Sequence, residues 1–354
     1  MIKVLGLALY GPLAASHRYR LSQYKSGLYE EGIDLEIFHL LGDDYLKSKF
    51  QEKQIPYKSI IKQGLERLFM IMSAKKYDLS IVHCELFPFL PGLMESFIIP
   101  KPYIYDFDDA FYLKYTEGRY KYLSPFLRNK FKKVISNAAA VTAGNHFLLD
   151  YAINNNKNSF YFPTVVNTER YKTLDKELND AFTIGWIGSP STANYLKQVV
   201  DPLEDFGKKT NAKLVVIGGD VPDIKDIYIE KHEWTHEREL NLINTFDVGI
   251  MPLNDDNWSR GKCAFKLIQY MACSKPVIAS DVGANKQLVS LDNGFLVSTK
   301  KDWLEALSIL QNNPELSNKM GKSARQKIEN EFSLKKNLPI LKDIILKVHQ
   351  RKYI

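Results

Sequence analysis

The chain has 354 residues, of which 45% are apolar and 25% charged, and a formal net charge of +7 at pH 7. Its length predicts two domains of about 170 residues each, and its composition is that of an ordinary globular protein. The three cysteines, Cys84, Cys263 and Cys273, show no disulfide or metal-ligand spacing, and neither a signal peptide nor an apolar run of about 20 residues occurs. These features exclude a disulfide scaffold and a membrane-spanning chain, and we expect a cytoplasmic protein.

Two segments of the first half, 47–76 and 114–133, are rich in Lys and Arg, and the second also holds Tyr and Phe. Solvated helix faces are the commonest explanation of such segments. A contact with an anionic membrane surface is a second explanation, and nucleic-acid binding is a third and weaker one.

Strand and helix patterns alternate along the chain, which predicts parallel sheets with crossover helices. In the first half, strands are predicted at about 2–9, 34–38, 78–83, 102–106 and 139–143. The second half restarts at 182–187 and continues with 213–220, 226–234, 247–253, 276–280 and 294–297. We therefore expect an α/β protein of two doubly wound domains that face a central cleft, joined by a polar hinge over 166–181.

Candidate site residues in the first half follow the predicted strands. Asp106, Asp108 and Asp109 end a buried strand, where carboxylates could orient sugar hydroxyls, act as a base or bind Mg²⁺, although helix capping explains them as well. His83 ends the neighbouring strand and is about as often structural. Arg18 and Arg20 open a predicted helix against its dipole and could bind an anionic acceptor or phosphate.

In the second half, the stretch 255–280 is the most informative. A helix is predicted to start near Gly261, with Lys262, Lys266 and Gln269 on one face and with Arg260 beside them. Cations at a helix start oppose the helix dipole, so a bound anion, most often a nucleotide phosphate, is the favoured reason for them. The alternative is a plain solvent face. Trp258, in the preceding loop, could stack on a base or sugar.

Two turns are weaker candidates for the same anion. Gly188 and Ser189 follow the first strand of the second half, and Gly283, Ala284 and Asn285 follow the strand at 276–280. Most such turns are only tight turns. Neither the G-x-G-x-x-G fingerprint nor the P-loop signature occurs, which argues against a nicotinamide enzyme.

Several segments carry a family resemblance: SHRYRLSQY, YDFDDA, FPTVVNTERY, IGWIGSPSTANYL, DVGIMPLNDDNWSRGKCAFKLIQYMACSKPVIASDVGAN and NGFLV. They resemble the retaining glycosyltransferases of the family 4 type, which have the GT-B fold of two Rossmann-like domains, and in particular a subgroup that builds bacterial surface polysaccharides such as lipopolysaccharide or capsule. The resemblance implies an acceptor-binding domain at 1–168, a nucleotide-sugar-binding domain at 169–332 and a C-terminal helix at 333–354 that returns toward the first domain.

The same resemblance implies transfer from a nucleoside-diphosphate sugar, and we expect no further cofactor or metal. The basic, aromatic-rich segments of the first half fit a glycan or lipid-linked acceptor at the inner face of the membrane, and we expect no role for nucleic acid. Two departures from the family pattern matter. The family's E-x7-E carboxylates, of which the second contacts the ribose, are replaced by Gly261 and Gln269, so Gln269 could bind a ribose only as a neutral group. The family's diphosphate-binding Arg and Lys are replaced by the turn at 189–192. We infer that Arg260, Lys262 and Lys266 take over diphosphate neutralisation and that Asp108 stands where the family has an acceptor-side histidine.

The lost carboxylates leave two other functions open. One is a catalytically weak or inactive nucleotide-binding partner protein, and the other is a nucleotide-sugar epimerase of the same fold.

Overall fold

The computed structural model of the protein describes residues 1–174 and 181–350. They form two compact units. The first comprises Met1–Val165, Gly261–Cys263 and the described residues from Leu334 onward, and the second comprises the described residues of Val166–Arg260 and Ala264–Ser333. The predicted hinge at 166–181 and the predicted C-terminal segment at 333–354 include 175–180 and 351–354, which lie outside the described residues.

The first unit is built on a six-stranded sheet in which every neighbouring pair of strands is parallel. The strand order β2-β1-β3-β4-β5-β6 reverses direction between β1 and β3, which makes the carboxyl ends of these two strands the switch point where α/β sheets bind ligands. The strands are β1 (Ile2–Tyr10), β2 (Ile33–Leu41), β3 (Leu79–His83), β4 (Tyr103–Phe107), β5 (Ala140–Ala143) and β6 (Ser159–Tyr161).

Crossover helices cover both faces of this sheet, and its core is formed by Val, Leu, Ile, Tyr and Phe side chains of the strands. The helices are α1 (Lys25–Glu30), α2 (Asp43–Phe50), α3 (Tyr57–Met72), α4 (Gly92–Ile98), α5 (Ser124–Leu127), α6 (Lys130–Ser136), α7 (His146–Ile153) and, from the end of the chain, α16 (Leu334–Gln350). Short helical turns lie at His17–Leu21, Ser22–Tyr24, Ala74–Lys76, Phe111–Tyr115 and Lys121–Leu123. The helix predicted at 17–31 is thus three short helical pieces.

The second unit repeats the architecture with the strand order β12-β11-β10-β7-β8-β9, again all parallel. Here the switch point lies between β7 and β10. The strands are β7 (Thr183–Ile187), β8 (Lys213–Ile217), β9 (Tyr228–His232), β10 (Val248–Met251), β11 (Val277–Ser280) and β12 (Gly294–Val297). The predicted α/β class with two doubly wound sheets is therefore confirmed.

The helices of the second unit are α8 (Pro190–Ala193), α9 (Val200–Gly207), α10 (Glu239–Asn244), α11 (Asn257–Arg260), α12 (Phe265–Ala272), α13 (Asn285–Leu288), α14 (Lys300–Asn312) and α15 (Pro314–Glu331), with a 3-10 turn at Asn194–Val199. Helix α14 begins with a capping box of Thr299 and Asp302. Among the described residues, no helix combines the length and the hydropathy needed to cross a bilayer.

One sequence-based expectation is wrong at a position that matters. The helix predicted to start near Gly261 begins at Phe265, because Ala264 takes a left-handed conformation with φ of 52° that separates α12 from the residues before it. Lys262 consequently lies in a segment without regular secondary structure and belongs to the first unit, whereas Lys266 lies in α12 of the second. The two lysines do not share a helix face.

A buried group of charges holds α4 and α6 to the loop after β3. The Lys130 ammonium, 1% exposed, lies 3.1 Å from a Glu85 oxygen and 2.7 Å from a Glu95 oxygen, and it donates to the Phe87 carbonyl. Lys114 lies 2.6 Å from the other Glu85 oxygen. Lys130 is thus an internal cation and not part of the basic surface expected at 114–133. Arg67, in the other basic segment, is also buried.

We expect Lys130→Met to lower the free energy of unfolding by about 3–5 kcal/mol, because it leaves the buried Glu95 carboxylate without its cation and Glu85 with Lys114 alone. Urea denaturation followed by circular dichroism measures the loss. Lys132→Met is the matched control, since Lys132 is exposed on the same helix and should change stability by less than about 0.5 kcal/mol. Equal effects of the two substitutions would contradict a role for the buried ion pairs.

Candidate functional site

In the first unit, one buried carboxylate organises the carboxyl edge of the sheet. Asp106 is directly paired with His83 of β3 and Thr142 of β5 in the strand register. Its oxygens accept from His83 Nδ1 at 2.7 Å, from Thr142 Oγ1 at 2.6 Å and from two nitrogens of Arg20. The Arg20 guanidinium and the His83 hydrogen bond outweigh the effect of burial and hold the pKa of Asp106 well below its usual range. Asp106 is therefore ionised and fully occupied within the unit.

The two predicted arginines also find partners inside this unit. Arg20, 1% exposed, donates to Asp106 and, at 2.5 Å, to the Phe162 carbonyl. Arg18 donates to the Pro12 and Leu13 carbonyls at 2.8 and 2.7 Å. Their placement in a helix start is thus explained by internal acceptors, and Arg18 holds the loop that follows β1.

Asp108 and Asp109 extend beyond β4, where they meet the segment Gly261–Cys263. Lys262 Nζ lies 3.7 Å from an Asp109 oxygen. Cys263 Sγ donates to the Asp108 carbonyl at 3.0 Å, and Asn145 Nδ2 donates to the Lys262 carbonyl at 2.9 Å. These contacts fix the Lys262 ammonium beside a pair of carboxylates.

The surroundings of Asp109 change the pKa of its carboxyl group. Burial raises the pKa of Asp109 to about 6, the Lys262 ammonium opposes the rise, and the Asp108 carboxylate adds to it. The Asp109 side chain is still about one third exposed, at 34%. A partly accessible carboxyl that titrates near neutral pH is suited to proton transfer and to orienting hydroxyl groups.

The first unit also contains a set of possible metal ligands. One ligand atom each of His83, Cys84 and Asp108 lies within 4.8 Å of the others, and the Asp106 carboxylate orients the His83 ring as metal-bound histidines usually require. This donor set would suit a borderline cation such as Zn²⁺. Burial and the nearby aspartates raise the pKa of the Cys84 thiol well above its usual range, so the thiol is protonated when no cation is bound.

In the second unit, Lys266 lies at the carboxyl end of β7, on the predicted Gly188 turn. Its ammonium lies 3.8 Å from the centre of the Trp186 ring and donates to Thr192 Oγ1 at 3.2 Å. A Cβ atom on Gly188 would lie 2.5 Å from the Lys266 Nζ and 2.6 Å from Thr192 Oγ1, so the close approach requires glycine. The structure thus brings Lys266 to the Gly188 turn.

Helix α12 is held against the Gly188 turn by a residue that lies one helical turn after Lys266. Tyr270, four residues after Lys266, accepts a hydrogen bond of 2.8 Å from the Ile187 N–H through its hydroxyl oxygen. Because residues four apart share a helix face, Tyr270 and Lys266 both meet the end of β7. The lysine is consequently held at the switch point of the sheet, beside the backbone N–H groups that open α8.

Gln269 is buried, whereas a residue that contacts a ribose is expected to be accessible. It is 4% exposed and its Nε2 donates to the Tyr171 hydroxyl at 2.9 Å. Tyr171 donates to Glu239, which also accepts from Trp234 Nε1 at 2.6 Å. Gln269 is thus one end of a buried polar chain that also reaches the buried carboxylate of Glu239.

The remaining predicted residues lie at the ends of β10 and β11. The Arg260 guanidinium donates to Asp255 at 2.7 Å, and a Cβ on Gly283, whose φ is +53°, would lie 2.9 Å from the Arg260 Cα. Trp258 is half-exposed in the same short helix, α11. Ala284 is buried.

Asn285 is buried at the start of α13. Its Nδ2 donates to the Ser280 carbonyl at 2.9 Å, and its Oδ1 has no hydrogen-bond partner among the described residues. Gly283 and Asn285 therefore shape the turn that follows β11, and Asn285 keeps one acceptor unused.

Several contributors were missed by sequence reasoning. Trp186, Tyr171, Glu239 and Cys84 carry no local signal, because a strand tryptophan or a loop tyrosine is usually core. Cys84 could have been noticed only through its φ of +67°, which the sequence does not show.

Comparisons with known proteins bear on the fold and on the second unit. Residues 181–313 match the family model described as Glycosyl transferases group 1. A trehalose synthase from Pyrococcus horikoshii is 29% identical over 111 residues, which cover 31% of this chain and 26% of the relative, so the match spans about a quarter of that protein's length.

Two solved structures resemble the whole chain. Sucrose-phosphate synthase from Thermosynechococcus elongatus superposes with a TM-score of 0.75 at 13% identity, covering 99% of this chain and 100% of that one. Anabaena HepE in complex with UDP and glucose gives a TM-score of 0.68 at 14% identity, covering 98% and 99%. The chain therefore has the GT-B fold, and its second unit carries a group 1 glycosyl transferase domain.

We expect Asp109→Asn to raise the melting temperature at pH 8. The pKa of Asp109 is about 6 in the folded state against an ordinary 3.8, so the folded state binds more protons between these values and ionisation destabilises the fold above pH 6. The neutral amide removes that cost. The gain should shrink as the pH falls through 6 and vanish near pH 3, where both states are protonated. Calorimetry from pH 3 to pH 8 measures it.

The control for this experiment is Asp292→Asn, which changes an exposed loop aspartate of the second unit. It should leave the pH dependence of the melting temperature unchanged. A constant effect of Asp109→Asn at every pH, or a loss of stability at pH 8, would contradict the raised pKa.

Proposed function

We propose that the protein is a retaining glycosyltransferase of the hexosyltransferase type. It moves a sugar from a nucleoside-diphosphate sugar to a lipid-linked glycan acceptor in the synthesis of a bacterial surface polysaccharide. The group 1 domain at 181–313 supports the reaction class. The observation that carries the proposal is the Lys266 ammonium, held at the carboxyl end of β7 beside Gly188 and Thr192. A cation and backbone N–H groups at a switch point suit a diphosphate.

On the sugar-donor side, the main task is to stabilise the departing diphosphate. Lys266 is proposed to neutralise its developing charge, and the N–H groups of the 188–192 turn are proposed to bind its oxygens. Arg260 and the turn at 283–285 are proposed to complete this site, with Trp258 against the base or sugar. Gln269, which is buried and donates to Tyr171, is proposed to support this side of the site through the buried polar chain and not to contact the ribose.

On the acceptor side, the first unit supplies the aspartates and Lys262. Asp108 and Asp109 are proposed to orient the acceptor hydroxyl, with Lys262 setting the charge of Asp109. His83 and Asp106 position these residues through the strand ends. In a retaining transfer that proceeds through an oxocarbenium-like state, a phosphate oxygen of the leaving group takes the acceptor proton. The domain roles proposed are acceptor binding for 1–168 and nucleotide-sugar binding for 169–332.

A lipid-linked acceptor would place the protein at the inner face of the cell membrane, as a cytoplasmic protein with peripheral attachment. The exposed lysines of 47–76 and 114–133 support this proposal, since anionic lipids attract such segments. Binding that weakens with salt is the property to look for.

A non-catalytic partner protein and an epimerase are the alternatives. A partner protein would bind a nucleotide without turnover, and an epimerase would convert the sugar without an acceptor. A non-catalytic partner protein gives no reason for the aspartate and lysine group of the first unit, whereas an epimerase could use it for proton transfer and is distinguished by its independence of an acceptor.

A thermal-shift screen with UDP, GDP, CDP and ADP, and then with their sugars, should show one selective stabilisation. A ligand at 100 times its dissociation constant stabilises the fold by about 2.7 kcal/mol. HepE has been solved with UDP-glucose, so this sugar donor is tried first. A selective shift identifies the donor class, whereas no shift with any nucleotide would contradict the proposed site.

We expect Lys266→Ala to lower the turnover of sugar transfer by about 10²-fold, because one preorganised electrostatic contact to the leaving group is lost. Nucleotide release and labelled-glycan formation are measured together. Lys319→Ala, which removes an exposed lysine from α15 of the same unit, is the control. A near-normal rate in Lys266→Ala would contradict the assignment of the leaving-group cation.

Chelation by EDTA should leave the transfer rate unchanged, because the proposed leaving-group charge is met by Lys266 and backbone N–H groups. The rate is compared before and after chelation, and after addition of Zn²⁺ or Mg²⁺. A lost rate that Zn²⁺ restores in the wild type but not in Cys84→Ser would instead assign a metal to His83, Cys84 and Asp108.

A further inference from the structure

Helix α3 has a second apolar face that the fold does not use. Six large apolar side chains along its length are between 45% and 79% exposed. At about 100° per residue they fall within an arc of about 120° on the helix surface. These six residues are Tyr57, Ile61, Leu65, Leu68, Phe69 and Met72.

The opposite side of α3 is the side that packs on the sheet. Arg67 is buried there and donates to the Ala8 and Phe38 carbonyls of β1 and β2 at 2.6 and 3.1 Å. Met70 and Ile71 pack against the core. The exposed face is therefore additional to the one that folding requires, which is unusual because amphipathic helices normally turn a polar face outward.

Helix α4 continues this surface. Its exposed side chains include Leu93 at 55%, Met94 at 56% and Phe97 at 74%. Both α3 and α4 lie in crossovers that run the same way along the sheet, β2 to β3 and β3 to β4, so right-handed connections place them on the same face. The carboxylate of Glu95 in α4 acts on the charge of Arg67 in α3, which agrees with this placement.

Lysines border the apolar surface. Lys58 and Lys62 lie along α3, Lys75 and Lys76 follow its end, and Lys101 lies 6.0 Å from the Phe97 ring after α4. The exposed charged residues of 57–76 are these four lysines and one acid, Glu66, which lies 3.8 Å from Lys62. Lys76 also lies 3.9 Å from Glu36 of β2. Apolar side chains bordered by lysines match a bilayer whose head groups are anionic. The apolar side chains can enter the region of the acyl chains, and the lysines can bind the head groups.

We propose that the exposed face of α3 and α4 inserts into the head-group region of an anionic lipid bilayer, and that Lys58, Lys62, Lys75, Lys76 and Lys101 bind the head groups around it. The proposal deepens the lipid-linked acceptor of the proposed function and rests on it for its purpose. Its physical claim is separate, because binding to vesicles is measured without nucleotide sugar or acceptor.

Flotation with vesicles of phosphatidylglycerol and phosphatidylcholine tests the surface. The wild-type protein should bind vesicles that contain phosphatidylglycerol, and Leu65→Gln/Phe69→Gln/Met72→Gln should lower the partition coefficient at least tenfold. Lys58→Gln/Lys62→Gln should lower it in proportion to the phosphatidylglycerol content. Tyr228→Gln/Leu291→Gln, which changes two exposed apolar side chains of the second unit, is the matched control and should bind as the wild type does.

Insertion is tested by quenching with brominated lipids. The four native tryptophans lie outside the first unit, at Trp186, Trp234, Trp258 and Trp303, and supply a constant background. Phe69→Trp should add emission that brominated acyl chains quench. Tyr29→Trp should add emission that they do not quench, because α1 belongs to the crossover from β1 to β2, which runs the other way and lies on the opposite face of the sheet.

The proposal is overturned if the wild type ignores phosphatidylglycerol vesicles, if the triple variant binds as well as the wild type, or if both tryptophan variants are quenched equally. It is also overturned if the triple variant converts a dimer to a monomer in light scattering without changing vesicle binding, since the face would then join two copies of the chain. Vesicle binding without any sugar transfer would support this surface and count against the proposed reaction alone.

Discussion

The buried carboxylate of Asp106 is the constraint on which the first unit's site depends. It lies between His83 and Thr142 in the register of three adjacent strands and also accepts from Arg20. A buried charge is stable only when it is paired and hydrogen-bonded, so the loss of Arg20 would leave Asp106 without its counter-charge and the loss of His83 or Thr142 would remove a donor. The network therefore fixes the strand ends, and the chain emerges from β4 with Asp108 and Asp109 in a defined position. We therefore propose Asp108 and Asp109 as the acceptor-side residues, because Asp106 is already hydrogen-bonded to both His83 and Arg20.

In the second unit, positive charge lies at the proposed anion site. Lys266 lies over the Trp186 ring, and Tyr270 on the same helix face holds the end of β7. An aromatic ring supports an ammonium without neutralising it, in contrast to a carboxylate partner. Arg260, which is paired with Asp255, and Lys262, which lies beside Asp109, have such partners. The cations that the sequence concentrates in one stretch therefore lie in three different environments, and we propose Lys266 for the leaving diphosphate because it lies at the Gly188 turn.

Much of the fold could be predicted from the sequence, because buried parallel strands such as 182–187 and 276–280 are continuous apolar runs bounded by turn residues. The site was less accessible to such reasoning. The left-handed Ala264 interrupts a stretch with good helical periodicity, so the predicted shared face of Lys262 and Lys266 does not form. Burial of Arg67 and Lys130 was equally hidden, since their ion-pair and carbonyl partners are distant in sequence. Periodicity reports local structure and contains no information about such distant partners.

The same limit explains why the two-sided character of α3 emerges only from the structure. In sequence, Tyr57, Ile61, Leu65 and Phe69 have the spacing of an ordinary core-facing stripe. The sequence pattern would assign the charged Arg67 to solvent. Arg67 instead lies against the sheet, where the carbonyls of Ala8 and Phe38 accept its hydrogen bonds. Because Arg67 occupies the side of α3 that faces the sheet, the apolar stripe faces outward. Folding does not require this exposure of apolar side chains. An interaction with an apolar environment outside the chain accounts for side chains that contribute so little to the core.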